Sequence, residues 1–174
     1  MHRIGRKLTV VFSLFLIATG ALAAPVQAAE PVNQKTFISG SNQHIPDSGE
    51  IGSVLSDITV SGLTGNVTDV DVLLHLNHTP VGDLDGAVTS PIYDPNVGSG
   101  FSYLFSGVGG SGGGFGNDCY TEYTLFDDEA TDPIDSGTAP FVGAFQPSPN
   151  VPGGAQPLSN FDGMTPGERL QGLR

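Results

Sequence analysis

Residues 69–91 read DVDVLLHLNHTPVGDLDGAVTSP, and this stretch decides the fold class. Valine or leucine occupies every even position from 70 to 76, whereas the odd positions are mostly polar. Because successive side chains of a strand point to opposite faces, this alternation predicts a half-buried strand. A turn at His78–Leu84 follows, and a second short strand is predicted at residues 87–89. The stretch therefore predicts two sheet strands joined by a turn.

The rest of the chain is consistent with an all-β fold. It contains 25 glycines and 13 prolines in 174 residues, and no amphipathic helical pattern follows residue 30. Short strands separated by turn residues are typical of β-sandwiches and jelly rolls. We predict strands at residues 54–60, 67–77, 86–89, 102–105 and 121–126.

Two features near the middle of the chain carry further expectations. Alternation places Phe101, Tyr103 and Phe105 on one face of a strand, where we expect them to belong to the core. The run GVGGSGGGFG at residues 107–116 is expected to be a flexible surface loop. It lacks the lysine and the following helix of a phosphate-binding loop, which argues against a nucleotide site.

Residues 1–28 are predicted to be a secretory signal peptide. Arg3, Arg6 and Lys7 precede a nearly uncharged apolar run, and small residues lead to a cleavage site before Ala29. Cleavage after Ala23 is an alternative, and a single membrane anchor is another. We expect the leader to be removed and the mature chain to be exported.

Cleavage would leave a strongly acidic chain. Three basic residues would remain against 18 acidic ones, a formal net charge of −15. Such a surface repels nucleic acid and anionic lipid, so neither is expected as a partner once the signal peptide is removed. It favours divalent cations and basic partners, or serves solubility alone. Cys119 is the only cysteine, which indicates a lost or intermolecular disulfide partner, or a buried inert thiol.

Calcium is the metal that the acidic turns favour, because it takes several carboxylate and carbonyl oxygens as ligands. Two groups of acidic residues are candidate ligands. They are Asp83 with Asp85, and Asp127, Asp128 and Glu129 with Asp132 and Asp135. The alternative is that these residues are solvated turn formers. Zinc is not favoured, since His75 and His78 are odd-spaced on a strand and point to opposite faces.

No catalytic residues are predicted. A serine protease needs a nucleophile, a base and an orienting carboxylate on a suitable scaffold. The chain has no Gly-x-Ser-x-Gly segment and no Gly-Thr-Ser-x-Ala segment. We expect His78 and Asp83 to form a pair that stabilises the turn.

Several segments, in order, resemble the P domain (P/Homo B domain) of proprotein convertases. The strand ending in His78-Thr79, its Gly-Asp-Leu turn and the following strand to Ser90-Pro91 carry the first part of the resemblance. Further segments follow the family's order, and together with the opening stretch they extend the resemblance over about 125 residues of the chain. They are Ile45–Gly49, Val54–Leu63, the run from Asn117–Cys119 through Phe126–Ala130, Pro140–Gly143 with Phe145–Pro147, and Pro157–Gly163.

The resemblance implies a galactose-binding-like jelly roll or β-sandwich over residues 29–174. It further implies a secreted, non-catalytic module that supports or regulates a subtilisin-like serine endopeptidase, with a protease catalytic domain or another secreted protein as partner. Asp127–Ala130 stands at the family's acidic turn. Alternatives are an independent calcium-dependent carbohydrate or adhesion module, for which Tyr93, Tyr120 and Tyr123 are the candidate contacts, and a non-functional remnant of a longer protease.

The tail departs from the family pattern. After Gly163 the family continues with a tryptophan-bearing strand and a final long strand, whereas this chain reads MTPGERLQGLR and contains no tryptophan. We therefore expect the final strands to be missing, through truncation or a frameshift near Gly167. Edge strands left without partners would pair with other chains or aggregate.

Overall fold

The computed structural model of the protein describes residues 35–39, 43–46, 52–94, 99–118, 120–165 and 169–172. The predicted signal peptide and Cys119 lie outside these ranges. The described residues are mostly β, with seven strands, three short 3-10 helices and no α-helix. No helix among them is long and apolar enough to cross a membrane.

The elements follow one another with turns and loops between them. The strands are β1 (Ser56–Thr59), β2 (Val72–Leu74), β3 (Asp85–Asp94), β4 (Ser99–Ser106), β5 (Thr124–Phe126), β6 (Gly143–Phe145) and β7 (Arg169–Gly172). The 3-10 helices are η1 (Val81–Asp83), η2 (Ile134–Ser136) and η3 (Leu158–Phe161).

The strands form two small open sheets. The first has the order β1-β7-β3-β4 and is antiparallel, and the second has the order β2-β5-β6. In the second sheet β2 runs antiparallel to β5, and β5 runs parallel to β6. The all-β expectation is confirmed at this level.

The five predicted strands correspond in position to β1–β5, although β2 has only three residues where a strand over residues 67–77 was predicted. The sequence missed β6 and β7. The tail was expected to leave edges unpaired, yet β7 lies between β1 and β3 and pairs with both. The tail thus contributes a strand to the middle of the first sheet.

The alternation in residues 70–76 has the predicted effect. Leu74 is buried, and Val70, Val72 and Leu76 pack against the same core. His75 and His78 both follow the end of β2; His75 is exposed, and His78, at the start of the turn, is buried. This segment therefore places one apolar face of the second sheet in the core.

The expectation for the aromatic residues of β4 is wrong in part. Ser102 and Leu104 are fully buried, whereas Phe101 and Tyr103 are half-buried and form an edge-to-face pair with ring centroids 5.0 Å apart. A register shift at Gly86/Ala87 interrupts the alternation, so Phe105 is buried directly after Leu104. A bulge of this kind adds a residue to one strand and redirects its side chains.

The glycine-rich run at residues 107–116 is only in part the expected surface loop, because residues 107, 109–111 and 113 are exposed whereas residues 108 and 114–116 are buried. It lies against the turn at residues 78–84 and exchanges backbone hydrogen bonds with it. These include Val81 N–H to Gly112 O (3.0 Å), Gly82 N–H to Gly110 O (2.9 Å) and Gly114 N–H to His78 O (3.1 Å). Phe115 is fully buried, and its backbone exchanges two hydrogen bonds with Leu76.

Phe115 lies in a stack of phenylalanine rings that connects the two sheets. Its ring centroid is 4.2 Å from that of Phe105 on β4 and 4.9 Å from that of Phe141, which precedes β6. Phe105 also stacks on Phe126 of β5, at 6.1 Å. Offset-stacked rings at these separations contribute favourable energy beyond the area they bury. The stack is therefore the centre of the core.

Gly109 has no room for a side chain. Its φ is +82°, a region that L residues rarely adopt. An added Cβ would lie 2.7 Å from the Val81 side chain and 2.9 Å from the Phe141 ring. Glycine at this position lets the run approach the turn and the ring stack together.

The outer edge of β4 is covered by residues 148–160. Ser148 N–H donates to Leu104 O (2.9 Å), and the Asn160 side-chain amide donates to Phe101 O (2.9 Å). The buried Ser102 hydroxyl donates to Gln156 O (2.6 Å). Covering an edge in this way occupies groups that would otherwise accept another strand.

Replacing Phe115 by alanine is expected to lower the free energy of unfolding by about 3–5 kcal/mol, because the change empties a fully buried ring position. Urea unfolding followed by circular dichroism measures the loss. Tyr120→Ala is the control, since this ring is 83% exposed and surface substitutions usually change stability by about 0.5 kcal/mol or less. Equal effects of the two changes would contradict the central place of the stack.

Candidate functional site

Four of the five acidic residues predicted as the main calcium ligands lie in the loop that leaves β5, here called the acid loop (residues 127–132), and the fifth, Asp135, lies in η2. Its first turn is local: Asp127 Oδ1 accepts the Glu129 N–H (2.7 Å), and Ala130 N–H donates to Asp127 O (3.1 Å). The Asp127 N–H donates to Phe145 O on β6 (3.0 Å). The loop is thus tied to the second sheet where it begins.

Asp128 connects the acid loop to a distant part of the chain. Its Oδ1 accepts the Leu158 N–H (2.9 Å) and its Oδ2 accepts the Ser159 N–H (2.8 Å). These groups belong to the first turn of η3, whose own preceding residue, Pro157, provides no side-chain cap. Because N–H groups at a helix start have no partner within the helix, a carboxylate there supplies acceptors.

Gln146 holds the other side of the acid loop, although no sequence motif marks this residue as functional. Its side-chain amide donates to Ala130 O (2.8 Å) and lies 3.2 Å from Asp128 O. Its backbone N–H donates to Asp132 O (2.8 Å), and its carbonyl accepts the Ile134 N–H (3.0 Å). A single residue after β6 therefore fixes the loop from both ends.

The remaining acidic residues of this group, Asp132 and Asp135, have different hydrogen-bond partners. Asp135 Oδ1 accepts the Asn150 side-chain amide (2.9 Å), and both residues are exposed. Asp132 is exposed and contributes its backbone carbonyl to Gln146. The first predicted pair lies on the other sheet, with Asp83 in η1 and Asp85 at the start of β3, and both are exposed.

Asp69 and Asp162, which were not among the predicted site residues, interact electrostatically with the acid loop. A side-chain hydrogen bond with Asp127 raises the pKa of Glu129, and desolvation and the charge of Asp69 raise it further. Desolvation also raises the pKa of Asp162, with contributions from the charges of Asp69 and Asp128. Asp69 and Asp162 are far from the loop in sequence, so no spacing pattern could have shown their influence.

Within the described ranges, no three or more His, Cys, Asp or Glu side chains are arranged so that they could hold a metal ion. The carboxylate of Asp128 is directed at η3 and that of Asp135 at Asn150. As placed, the acidic residues do not form a donor set for calcium. The calcium site stays a prediction from sequence.

The turn at residues 78–84 is held by its backbone. Asp83 N–H donates to Pro80 O (3.3 Å) and Leu84 N–H to Val81 O (3.1 Å), in addition to the bonds to the glycine-rich run. The His78 side chain is 7% exposed, whereas Asp83 is exposed. The pairing of these two side chains stays a prediction.

Asp118 forms a second carboxylate-centred turn. Its Oδ1 accepts the N–H groups of Tyr120 and Thr121, both at 2.6 Å, and that of Glu122 at 3.2 Å. Its Oδ2 accepts the Thr121 hydroxyl (2.8 Å). The N–H groups of Thr121 and Tyr120 hold the pKa of Asp118 well below its usual value, since hydrogen bonds to a charged form favour it.

The three tyrosines proposed for carbohydrate binding differ in exposure. Tyr120 is 83% exposed in the Asp118 turn and Tyr123 is half-buried. Tyr93 lies in β3, and its side chain is outside the described part of the structure.

Comparison with protein family models, curated proteins and solved structures gives no match to this chain.

Replacing Asp128 by asparagine is expected to destabilise the protein by about 1–3 kcal/mol, the usual cost when a hydrogen-bonded group loses its partner. Asparagine keeps one acceptor oxygen but turns an N–H₂ group toward the second N–H of η3. Asp132→Asn is the matched control, because it removes the same charge from an exposed residue of the same loop. Chemical unfolding of both variants measures the difference. If Asp132→Asn costs as much, the loss reflects charge and not the bonds to η3.

Glu129 and Asp118 predict opposite responses to pH, because the pKa of Glu129 is raised and that of Asp118 is lowered. A raised folded-state pKa penalises the folded state at pH values above it, and the penalty disappears as the pH falls. Glu129→Gln is therefore expected to raise the melting temperature at neutral pH. Asp118 has the opposite sign: its lowered pKa gives stability above the usual carboxyl pKa that is lost at lower pH, so Asp118→Asn is expected to lower the melting temperature at neutral pH.

Thermal melts in EDTA, at neutral pH and below about pH 3, measure both differences. Both are expected to shrink in acid, where Glu129 is protonated and Asp118 approaches its lowered pKa. A Glu129→Gln variant that melts lower than the parent at neutral pH in EDTA would contradict the repulsion among these carboxylates.

Proposed function

We propose that this chain is an exported, non-catalytic β-sandwich module of the P/Homo B type that binds and stabilises a subtilisin-like protease. The sandwich in this proposal is the arrangement of the two sheets about their shared core. The export rests on the leader, and the lack of catalysis rests on the lack of a recognisable nucleophile motif in the sequence. The partner class comes from the ordered segments that resemble the family.

One observation carries the proposal: segments of the resemblance that are distant in sequence are held together in space. Asp128, from the segment Phe126–Ala130, binds the first turn of η3, whose Leu158 and Phe161 come from the segment Pro157–Gly163. Leu158 and Phe161 are each 1% exposed and belong to the common core. This contact supports the proposal because it makes the two segments parts of one folded unit, as a single module of this type requires.

A role in support of another protein is consistent with the position of the buried residues. The turn that carries the first part of the resemblance has backbone contacts to the glycine-rich run, and its His78 is buried. Residues buried in this way act through packing, whereas the acid loop remains partly accessible. A binding surface on such a module therefore has to come from loops, where binding residues are concentrated in many folds.

The test uses the exported chain, purified from the medium, together with a subtilisin-like catalytic domain encoded by the same genome. Loss of peptidase activity at elevated temperature is followed in calcium and in EDTA. We expect slower inactivation with the chain than with an equal mass of serum albumin, because a partner that binds only the native protease stabilises it. If calcium acts on this module, the protection is larger in calcium than in EDTA.

Two results would overturn the proposal. The first is hydrolysis of peptide substrates by the chain without the protease. The second is an inactivation rate that the chain leaves unchanged in both calcium and EDTA.

A further inference from the structure

A groove with a volume of about 400 Å³ lies between the acid loop and the segment 146–157, here called the proline segment. Ligand pockets commonly have volumes of about 300–1,000 Å³, so the groove has room for part of a peptide. Four prolines are part of its lining, together with Asp128 and Gln156. They are Pro133, Pro147, Pro149 and Pro157.

The walls of the groove are fixed to each other before any ligand arrives. Asp128 binds the first turn of η3, and Gln146 binds the acid loop through its side chain and its backbone. The proline segment is tied in turn to β4, through Ser148 N–H to Leu104 O and the Ser102 hydroxyl to Gln156 O. A preformed groove loses little conformational entropy when a ligand binds.

The groove offers hydrogen-bond acceptors and apolar surface. Proline has no backbone N–H, so the four prolines contribute only apolar rings and carbonyl groups. Asp128 contributes a carboxylate that accepts two N–H bonds. A carboxylate has about four acceptor positions, so Asp128 retains capacity for donors from a ligand. The chemistry that complements this lining is an apolar stem that ends in several N–H donors.

The carboxylates around the acid loop favour a positively charged ligand. A hydrogen bond with Asp127 and the charges of Asp69 and Asp127 raise the pKa of Glu129, and the charges of Asp69 and Asp128 add to the raised pKa of Asp162, so these carboxylates are close neighbours around the acid loop. Lys35 is the only lysine or arginine whose side chain the structure describes, and it contacts Ser61 O and the Phe37 ring. Among the side chains that the structure describes, no lysine or arginine therefore neutralises the carboxylates of the acid loop.

We propose that the groove binds an extended segment of a partner protein that carries lysine or arginine. The aliphatic stem of such a side chain packs on the proline rings, as long basic side chains do on apolar surfaces. Its charged end reaches Asp128 and the field of the neighbouring carboxylates. The inference rests on the proposed function only in that it takes the partner to be a protein.

Fluorescence anisotropy with a labelled peptide of alternating arginine and alanine tests the inference, in EDTA and without any protease. The same peptide with citrulline, the neutral analogue of arginine, shows whether charge is recognised. We expect saturable binding of the arginine peptide that weakens as salt is raised, since salt screens exposed charges. Binding of the citrulline peptide is expected to be about tenfold weaker or more, because the charged contacts are lost.

Two variants with the same substitution locate the site. Ala155→Arg puts a cation in the groove, and Ala144→Arg puts one on the exposed face of β6 outside it. We expect Ala155→Arg to weaken binding about tenfold or more, because like charges repel, and Ala144→Arg to weaken it by less than about threefold. Gln156→Glu adds a carboxylate to the lining, keeps the side-chain shape and is expected to tighten binding.

Equal binding of the two peptides, or equal effects of the two arginine variants, would overturn the inference. If Ala155→Arg lowers the melting temperature, Gln156→Glu decides: unchanged or weaker binding by that variant is also contrary to the inference. Because the assay contains no protease, its failure is distinct from a failure to stabilise the protease.

Discussion

The backbone pairing between the turn at residues 78–84 and the glycine-rich run at 107–116 is the constraint on which the rest of the structure depends. It requires close approach: a Cβ on Gly82 would lie 2.8 Å from Gly110 O. The same pairing carries Phe115 into the core, where its ring contacts Phe105 of one sheet and Phe141 next to the other. Two sheets that are each too small to bury their own apolar faces thus share one core.

The acid loop has two opposing physical effects. Asp128 stabilises the fold, because it supplies the acceptors that the start of η3 needs. Its neighbours oppose folding at neutral pH, because Glu129 and Asp162 are held among like charges and lose part of their hydration. A protein with a formal charge of −12 over the full chain offers few cations to relieve this repulsion. Unfavourable interactions that persist in a folded protein are often found at functional sites, so this region is a reasonable candidate for binding.

The sequence predicted what depends on local pattern. The alternation at residues 70–76 correctly placed Leu74 in the core, and the five predicted strands correspond to β1–β5. It missed β6 and β7, because three or four residues with glycine or charge do not form a recognisable period. It also grouped Phe105 on one face with Phe101 and Tyr103, because the register shift at Gly86/Ala87 that separates Phe105 from them is a property of the strand pair. A pattern in one strand cannot contain that information.

The sequence by itself determined the strand-rich character, the strong negative charge and the acidic loop after β5. Only the tertiary structure showed that the glycine-rich run pairs with the turn at residues 78–84 and that β7 lies between β1 and β3. It also showed the hydrogen-bond partners of Asp128 and Gln146. The physical reason is the range of the interactions. Periodicity and turn propensity act over a few neighbouring residues, whereas the ring stack, the carboxylate at η3 and the shared charge field join residues that folding alone brings together.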